Sequence, residues 1–107
     1  MSCLTTPLCV GIISNLKATL LLKDRTDLGG AFVELVIWQL PRKLPGSDHR
    51  YRYRLALVRE GVCVVRYDNE AGKGDHRHVG RREEPYRFID LDTLIRDFRE
   101  AVREYLK

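Results

Sequence analysis

Cysteine is scarce and unpatterned in this chain. Cys3, Cys9 and Cys63 make an odd number with no C-x-x-C spacing, so neither a disulfide framework nor a zinc knuckle is encoded. Free thiols in a reducing cytoplasm are the expectation. Long hydrophobic runs are missing too: the apolar stretch in "MSCLTTPLCVGIISNLK" has no basic residue before it and is too brief to span a bilayer, which reads against secretion and membrane insertion. No segment repeats and no low-complexity tract suggests disorder. The G-x-G at Gly72 to Gly74 is neither a phosphate-loop nor a dinucleotide fingerprint, so nucleotide-cofactor binding is disfavoured.

What remains is an ordinary globular composition. At 107 residues, 44% hydrophobic and 32% charged, the chain is sized for one core. Residues 1–16 are read as an N-terminal extension with little fixed structure, and residues 17–107 as a single domain. The net charge of +4 is mild but uneven. From Arg42 to Arg54 five bases stand against Asp48, and from Gly72 to Arg82 four stand against Asp75. The segment from Asp90 to Lys107 has five acids and four bases, so the positive field belongs to the middle of the chain. An anionic partner is drawn there.

"KATLLLK" (17–23) and "AFVELVIWQL" (31–40) are apolar runs flanking "DRTDLGG", a hairpin signal with a loop of several residues. "PRKLPGSDH" reads as an exposed connection, with His49 as a loop residue only. "RYRYRLALV" alternates, sending Arg50, Arg52, Arg54, Ala56 and Val58 to one side and Tyr51, Tyr53, Leu55 and Leu57 to the other. Tyr51 and Tyr53 are read as sheet packing more than as base-stacking platforms. A two-residue turn at Glu60 and Gly61 sets Val58 opposite Cys63, Ala56 opposite Val65 and Arg54 opposite Tyr67. At the far end Leu91, Leu94, Ile95, Phe98, Val102, Tyr105 and Leu106 recur at helical spacing. Asp90 is the N-cap, and Ile89 with Leu94 has the spacing of a hydrophobic staple. The expected fold is α+β: an antiparallel sheet of four or more strands with one C-terminal helix on one face. Phe32, Val36 and Trp38 ask for cover on the other face, which a homodimer supplies.

The chemically dense stretch is "YDNEAGKGDHRH", Tyr67 to His78, read as a loop. His76 and His78 suit proton transfer, and Tyr67 and Glu70 suit positioning or deprotonating a hydroxyl. Arg50, Arg52, Arg54, Lys73 and Arg77 suit phosphate oxygens. Asp68, Asn69, Gly72, Gly74 and Asp75 shape the loop. No metal cofactor is required on this reading; the alternative is a divalent ion held by Asp75, His76 and His78. The bland reading is a solvated turn, against which the density of hydrogen-bonding side chains beside an arginine-rich strand argues.

"FVELVIWQLP" with "PGSDHR", then "HRYRYRLALV", "RYDNEAGKGDHRH" and "EEPYRFIDLDTLIRDF", resemble the TumE-type toxin family of prokaryotic toxin–antitoxin systems, over roughly Ala18 to Val102. The resemblance implies a small cytoplasmic toxin of a type II module, encoded beside a cognate DNA-binding antitoxin, with interference in DNA replication as its proposed effect. Tyr67, Asp68, Asn69, Glu70, Gly72, Lys73, Gly74, Asp75, His76 and His78, then Glu84, Pro85 and Tyr86, match the central motif. The expectation is a toxin acting on nucleic acid, in the form of a metal-independent nuclease. The alternatives are a non-enzymatic inhibitor that binds nucleic acid or protein, and a metal-dependent phosphodiesterase.

Overall fold

The computed structural model describes residues 17–107; the expectation for residues 1–16 lies outside them. Among the described residues, six strands run in order β1 (Thr19–Asp27), β2 (Ala31–Gln39), β3 (Tyr51–Arg59), β4 (Val62–Glu70), β5 (Gly74–Val79) and β6 (Arg82–Pro85). They form one sheet in that same order, each strand antiparallel to the next. A helix, α1 (Leu91–Leu106), follows and packs across β3 and β4. This is the expected α+β layering.

The helix forms where the apolar period predicts. Asp90 Oδ1 accepts the Thr93 N–H at 2.7 Å, satisfying one orphan donor of the first turn. The bond holds the Asp90 carboxyl below its usual range. Ile89, in the staple position, is 64% exposed, so the staple is not formed, and the start of the helix is held by the cap and by Leu91 packed against the core. Leu94, Phe98 and Val102 are buried against Leu35, Ile37, Tyr53, Leu55, Leu57, Val65 and Tyr67. Leu106, expected on this face, is exposed, whereas its neighbour Tyr105 packs against the core.

Three local readings are corrected. β1 continues through Asp27, leaving only residues 28–30 for the turn; charged side chains tolerate an edge strand well. The stretch after Tyr67 is not a loop. It is a hairpin, with β4 running to Glu70 and β5 starting at Gly74, paired Asp68↔His76 and Arg66↔His78. The connection 41–50 is exposed only in part: Leu44 is buried, and Pro45 O accepts the Gly72 N–H at 2.7 Å. Gly46 lies so close to Gly72 and Gly74 that a Cβ on Gly74 would stand 3.3 Å from Gly46 O.

The register of β3 and β4 also departs from expectation. Glu60 and Gly61 have φ of 51° and 80°, the two positive values of a type I′ turn, and Val58 does oppose Cys63. Beyond it a bulge inserts one extra residue in β4, so Leu57 opposes Val65, Ala56 opposes Arg66, Leu55 opposes Tyr67 and Arg54 opposes Asp68. Pairing Arg54 with Tyr67 would have set a cation against the core. The bulge restores like with like on each face.

On the face away from α1, Phe32, Val36 and Trp38 are half-buried. Part of the cover they require comes from within the chain, because the Arg25 guanidinium carbon sits 3.7 Å over the Phe32 ring.

Two substitutions test this description by urea denaturation. Phe98→Ala, at a position with 0% exposure, is expected to cost about 3–5 kcal/mol. Glu60→Asn relieves a left-handed residue that a type I′ turn prefers as Asn-Gly, and is expected to add about 1 kcal/mol. A loss on Glu60→Asn would contradict the turn.

Candidate functional site

Residues that oppose one another across an antiparallel ladder share a face. The pairings Val36↔Arg54, Arg54↔Asp68 and Asp68↔His76 therefore lay one row across the face away from α1. The pairings Glu34↔Ala56, Ala56↔Arg66, Arg66↔His78 and His78↔Glu83 lay the next. The bulge creates this alignment. His76 and His78 thus stand on one side of β5, beside Arg54, Arg66 and Asp68.

The polar contacts within these rows are incomplete. Arg54 is 5% exposed; its Nη1 is 3.9 Å from Glu34 Oε1, while its Nε and Nη2 are buried with no hydrogen-bond partner among the described residues. His76 Nε2 is buried without a partner in the same sense. Arg66 Nε lies 3.3 Å from Asp68 Oδ2, close enough for ion pairing but not aligned as a hydrogen bond. Arg66 Nη2 is 2.7 Å from His78 Nε2. Since a guanidinium only donates, His78 Nε2 accepts there. The 3.2 Å approach of the same nitrogen to Glu83 Oε2 is favourable only when Nε2 carries a hydrogen. The two contacts are alternatives, and the shorter one requires Nε2 without a hydrogen.

The other candidates lie elsewhere. Arg77 points to the helix side of β5, where it donates to the Tyr67 hydroxyl at 3.2 Å and to Glu84. The Tyr67 hydroxyl, and after it Glu84, hold the Arg77 guanidinium above its ordinary pKa. Arg77 in turn keeps the Glu84 carboxyl low. Tyr67 is 1% exposed and packs edge-on against Phe98 at 5.8 Å, remote in orientation from the histidine pair. Lys73 sits in the exposed turn between β4 and β5, Glu70 is exposed at the end of β4, and Arg50 is exposed before β3. Arg52 is buried and donates to Tyr53 O and to Asn69.

Asn69 shapes the hairpin by a specific device. The backbone pairing of β3 with β4 ends at Arg54 and Asp68, and there the Asn69 amide takes over. Its Oδ1 accepts the Tyr53 N–H at 3.0 Å and its Nδ2 donates to Tyr51 O at 2.7 Å. Gly72 and Gly74 have φ of 84° and 76°, which a side chain resists.

Asp75 faces the helix side, opposite to His76 and His78. Its Oδ2 accepts the Tyr53 hydroxyl at 2.7 Å and approaches His49 Nε2 at 2.8 Å. His49 Nδ1 accepts the Tyr51 N–H at 3.1 Å, so the ring proton resides on Nε2 and is donated to Asp75. Burial, reinforced by Asp75, pushes the Tyr53 hydroxyl far above the phenolic range. Its proton stays in place. His49 also packs against Phe88 with centroids 4.0 Å apart and the rings tilted by 33°. It is no mere loop residue, and the alternation of His49, Tyr51 and Tyr53 at every second position was the signal that placed it.

This geometry does not assemble the alternative metal set, because consecutive strand residues project to opposite faces. Among the described residues no group of three or more His, Cys, Asp or Glu is arranged to hold a metal ion. No described helix is long and apolar enough to cross a membrane.

Comparison with curated proteins and with solved structures returned no match. The family model described as Toxin TumE matches residues 14–106, a span that includes the whole sheet and the helix. The chain therefore belongs to the TumE toxin family, and is the toxin component of a toxin–antitoxin system.

Proposed function

We propose that this toxin inhibits growth by acting on nucleic acid, or on DNA replication through it, at the face carrying Arg54, Arg66, His76 and His78. The reading is that of a metal-independent nuclease in a type II module, neutralised by a cognate DNA-binding antitoxin. One observation carries it. Arg54 Nε and Nη2, Arg66 Nε and His76 Nε2 are buried without hydrogen-bond partners among the described residues, and all belong to adjoining rows of one face. Buried polar atoms are ordinarily satisfied, and a phosphate supplies acceptors for the guanidinium N–H groups with charge-assisted bonds.

In this reading Arg54 and Arg66 take phosphate oxygens and stabilise the charge that develops on them. Two imidazoles at alternate positions of a strand stand roughly 7 Å apart, room for a phosphoryl group between a base and an acid. An anion that draws the Arg66 guanidinium towards itself releases His78 Nε2, and the ring is then able to accept a proton. Binding and activation of the base are thereby one event.

The contact of Arg66 with His78 also favours a second reading, a binder that inhibits by occupancy with its histidine engaged throughout. Cleavage products separate the two. Purified toxin incubated with labelled single- and double-stranded DNA and RNA yields shortened products under the nuclease reading and only retarded complexes under the other.

His76→Gln and His78→Gln are expected to abolish growth inhibition, with in vitro turnover falling about 10²- to 10⁴-fold, while circular dichroism and antitoxin binding stay unchanged. Arg99→Ala, on the exposed face of α1, serves as the neutral control. Undiminished toxicity of both histidine variants would remove the enzymatic reading.

A further inference from the structure

We propose that the cavity on the helix side of β5 and β6 is a reading site for an unpaired guanine base. The inference rests on the nucleic-acid reading above and adds a sequence preference to it, through groups that reading does not use.

The cavity measures about 350 Å³ and is lined, among the described residues, by Arg77, Val79, Arg82, Glu84 and Glu104. That volume falls within the range of small-ligand sites. It is open to solvent, for the Arg77 and Glu84 side chains are 38% and 34% exposed. The four charged side chains of the lining sum to zero, and residues 1–16 contain no charged side chain. Glu104 is engaged in addition by Lys107 Nζ at 2.9 Å. Balanced charge suits a neutral ligand with donors and acceptors side by side, not a free phosphate.

One pair in the cavity is fixed and one exchangeable. Arg77 donates to the Tyr67 hydroxyl and, through Nε and Nη2, meets Glu84 Oε2. These bonds orient the carboxylate and hold its pKa below the usual range. Glu84 Oε1 is met by Arg82 Nη2 at 3.3 Å, and the Arg82 side chain is 79% exposed. Such a surface pair contributes little and gives way to a better partner.

Guanine is the base that answers both groups. It alone sets two adjacent N–H groups, at N1 and N2, beside a carbonyl. Glu84 Oε1, released by Arg82, accepts from both, while Arg82 donates to O6 and N7, the commonest guanidinium contact with this base. Val79 supplies an apolar surface for the ring. Adenine and cytosine offer the carboxylate one amino group, and thymine or uracil one ring N–H between two carbonyls.

The site also lies within reach of the proposed chemistry. Arg77 opposes Glu84, and the adjoining pair, His78 with Glu83, faces the other side of the sheet. β6 is an edge strand, so a single strand passing round it brings a base to the cavity and a neighbouring phosphate towards His78. Bases become readable in this way only when unpaired.

The test uses the full chain and single-stranded oligothymidylates, with an oligouridylate series in RNA, carrying one central guanine, hypoxanthine, adenine or cytosine. Guanine is expected to bind about tenfold more tightly than adenine or cytosine, with hypoxanthine, which lacks the N2 amino group, in between. Arg82→Ala, at an exposed position, is expected to bring the ratio of affinities to one. Guanosine alone is expected to shift the Val79 methyl resonances, and adenosine to leave them in place.

Equal affinity for the central bases overturns the inference and leaves the nucleic-acid reading standing. A guanosine response at Val79 without binding of any oligonucleotide retains the guanine site and removes that reading instead. Equal weakening of every oligonucleotide by Arg82→Ala assigns Arg82 to a phosphate and overturns the inference. So does loss of antitoxin binding in Arg82→Ala when guanosine leaves Val79 unmoved, since the cavity then belongs to the protein partner.

Discussion

The insertion of one residue in β4, between the partners of Val58 and Leu57, is the constraint on which the arrangement of this protein depends. Side chains alternate strictly along a strand, so a one-residue slip exchanges the two faces of everything beyond it. With the bulge, Tyr67 opposes Leu55 and enters the core under Phe98, while Arg66 and Asp68 join Ala56 and Arg54 on the other side. The consequence carries to the next strand. β5 reads its register from β4, so the placement of His76 and His78 beside the arginines is fixed by a local irregularity near the β3–β4 turn, well before the histidines occur in the chain.

The two faces are built on opposite electrostatic terms. On the helix side polar groups are paired to completion: Arg77 with Tyr67 and Glu84, His49 and Tyr53 with Asp75, Tyr86 with Asp97 at 2.7 Å. The Tyr53 and Tyr86 hydroxyls, both raised by burial first and their carboxylate acceptors second, remain donors across the physiological range. Both nitrogens of His49 are engaged, so this network fastens the 41–50 connection to β5 and offers no free base. The other face leaves nitrogens of Arg54 and His76 without hydrogen-bond partners among the described residues. Satisfied networks rigidify, and a buried group left without a partner is costly. This contrast within one sheet is what favours the proposed reading of the face without the helix.

Much of this was legible in the sequence. The helix announced itself by period and cap, and the alternation of "RYRYRLALV" gave β3 and its two faces. Density of polar residues misled in one place: "YDNEAGKGDHRH" was read as a loop because turn formers and charges dominate it, although the period of two persists from Tyr67 to Asn69 and from Asp75 to His78. Composition says where water is tolerated; it does not say where a ladder stops. The grouping of Arg77 with the histidines failed for the same reason, since an extended backbone turns residue 77 to the side opposite 76 and 78. Arg66 was not counted among the phosphate-binding residues because its face depends on the bulge, and a single extra residue leaves no clear mark in a run such as "VCVVRYD".

The stability of the sheet is what permits the unmatched face. Each buried polar group lacking a partner costs about 1–3 kcal/mol, a large share of the roughly 5–15 kcal/mol by which a domain is stable. That cost falls on β3 and β4, the strands with the most completely buried apolar residues: Leu55, Leu57 and Val65 are at 0% exposure, as are Leu94 and Phe98 on the helix above them. The same strands, unlike an exposed turn, hold the Arg54 and Arg66 guanidinium groups in a rigid lattice, so under the proposed reading little conformational entropy is lost on binding an anion. The core built by α1 on one side is therefore the reason a costly, preorganised cluster persists on the other.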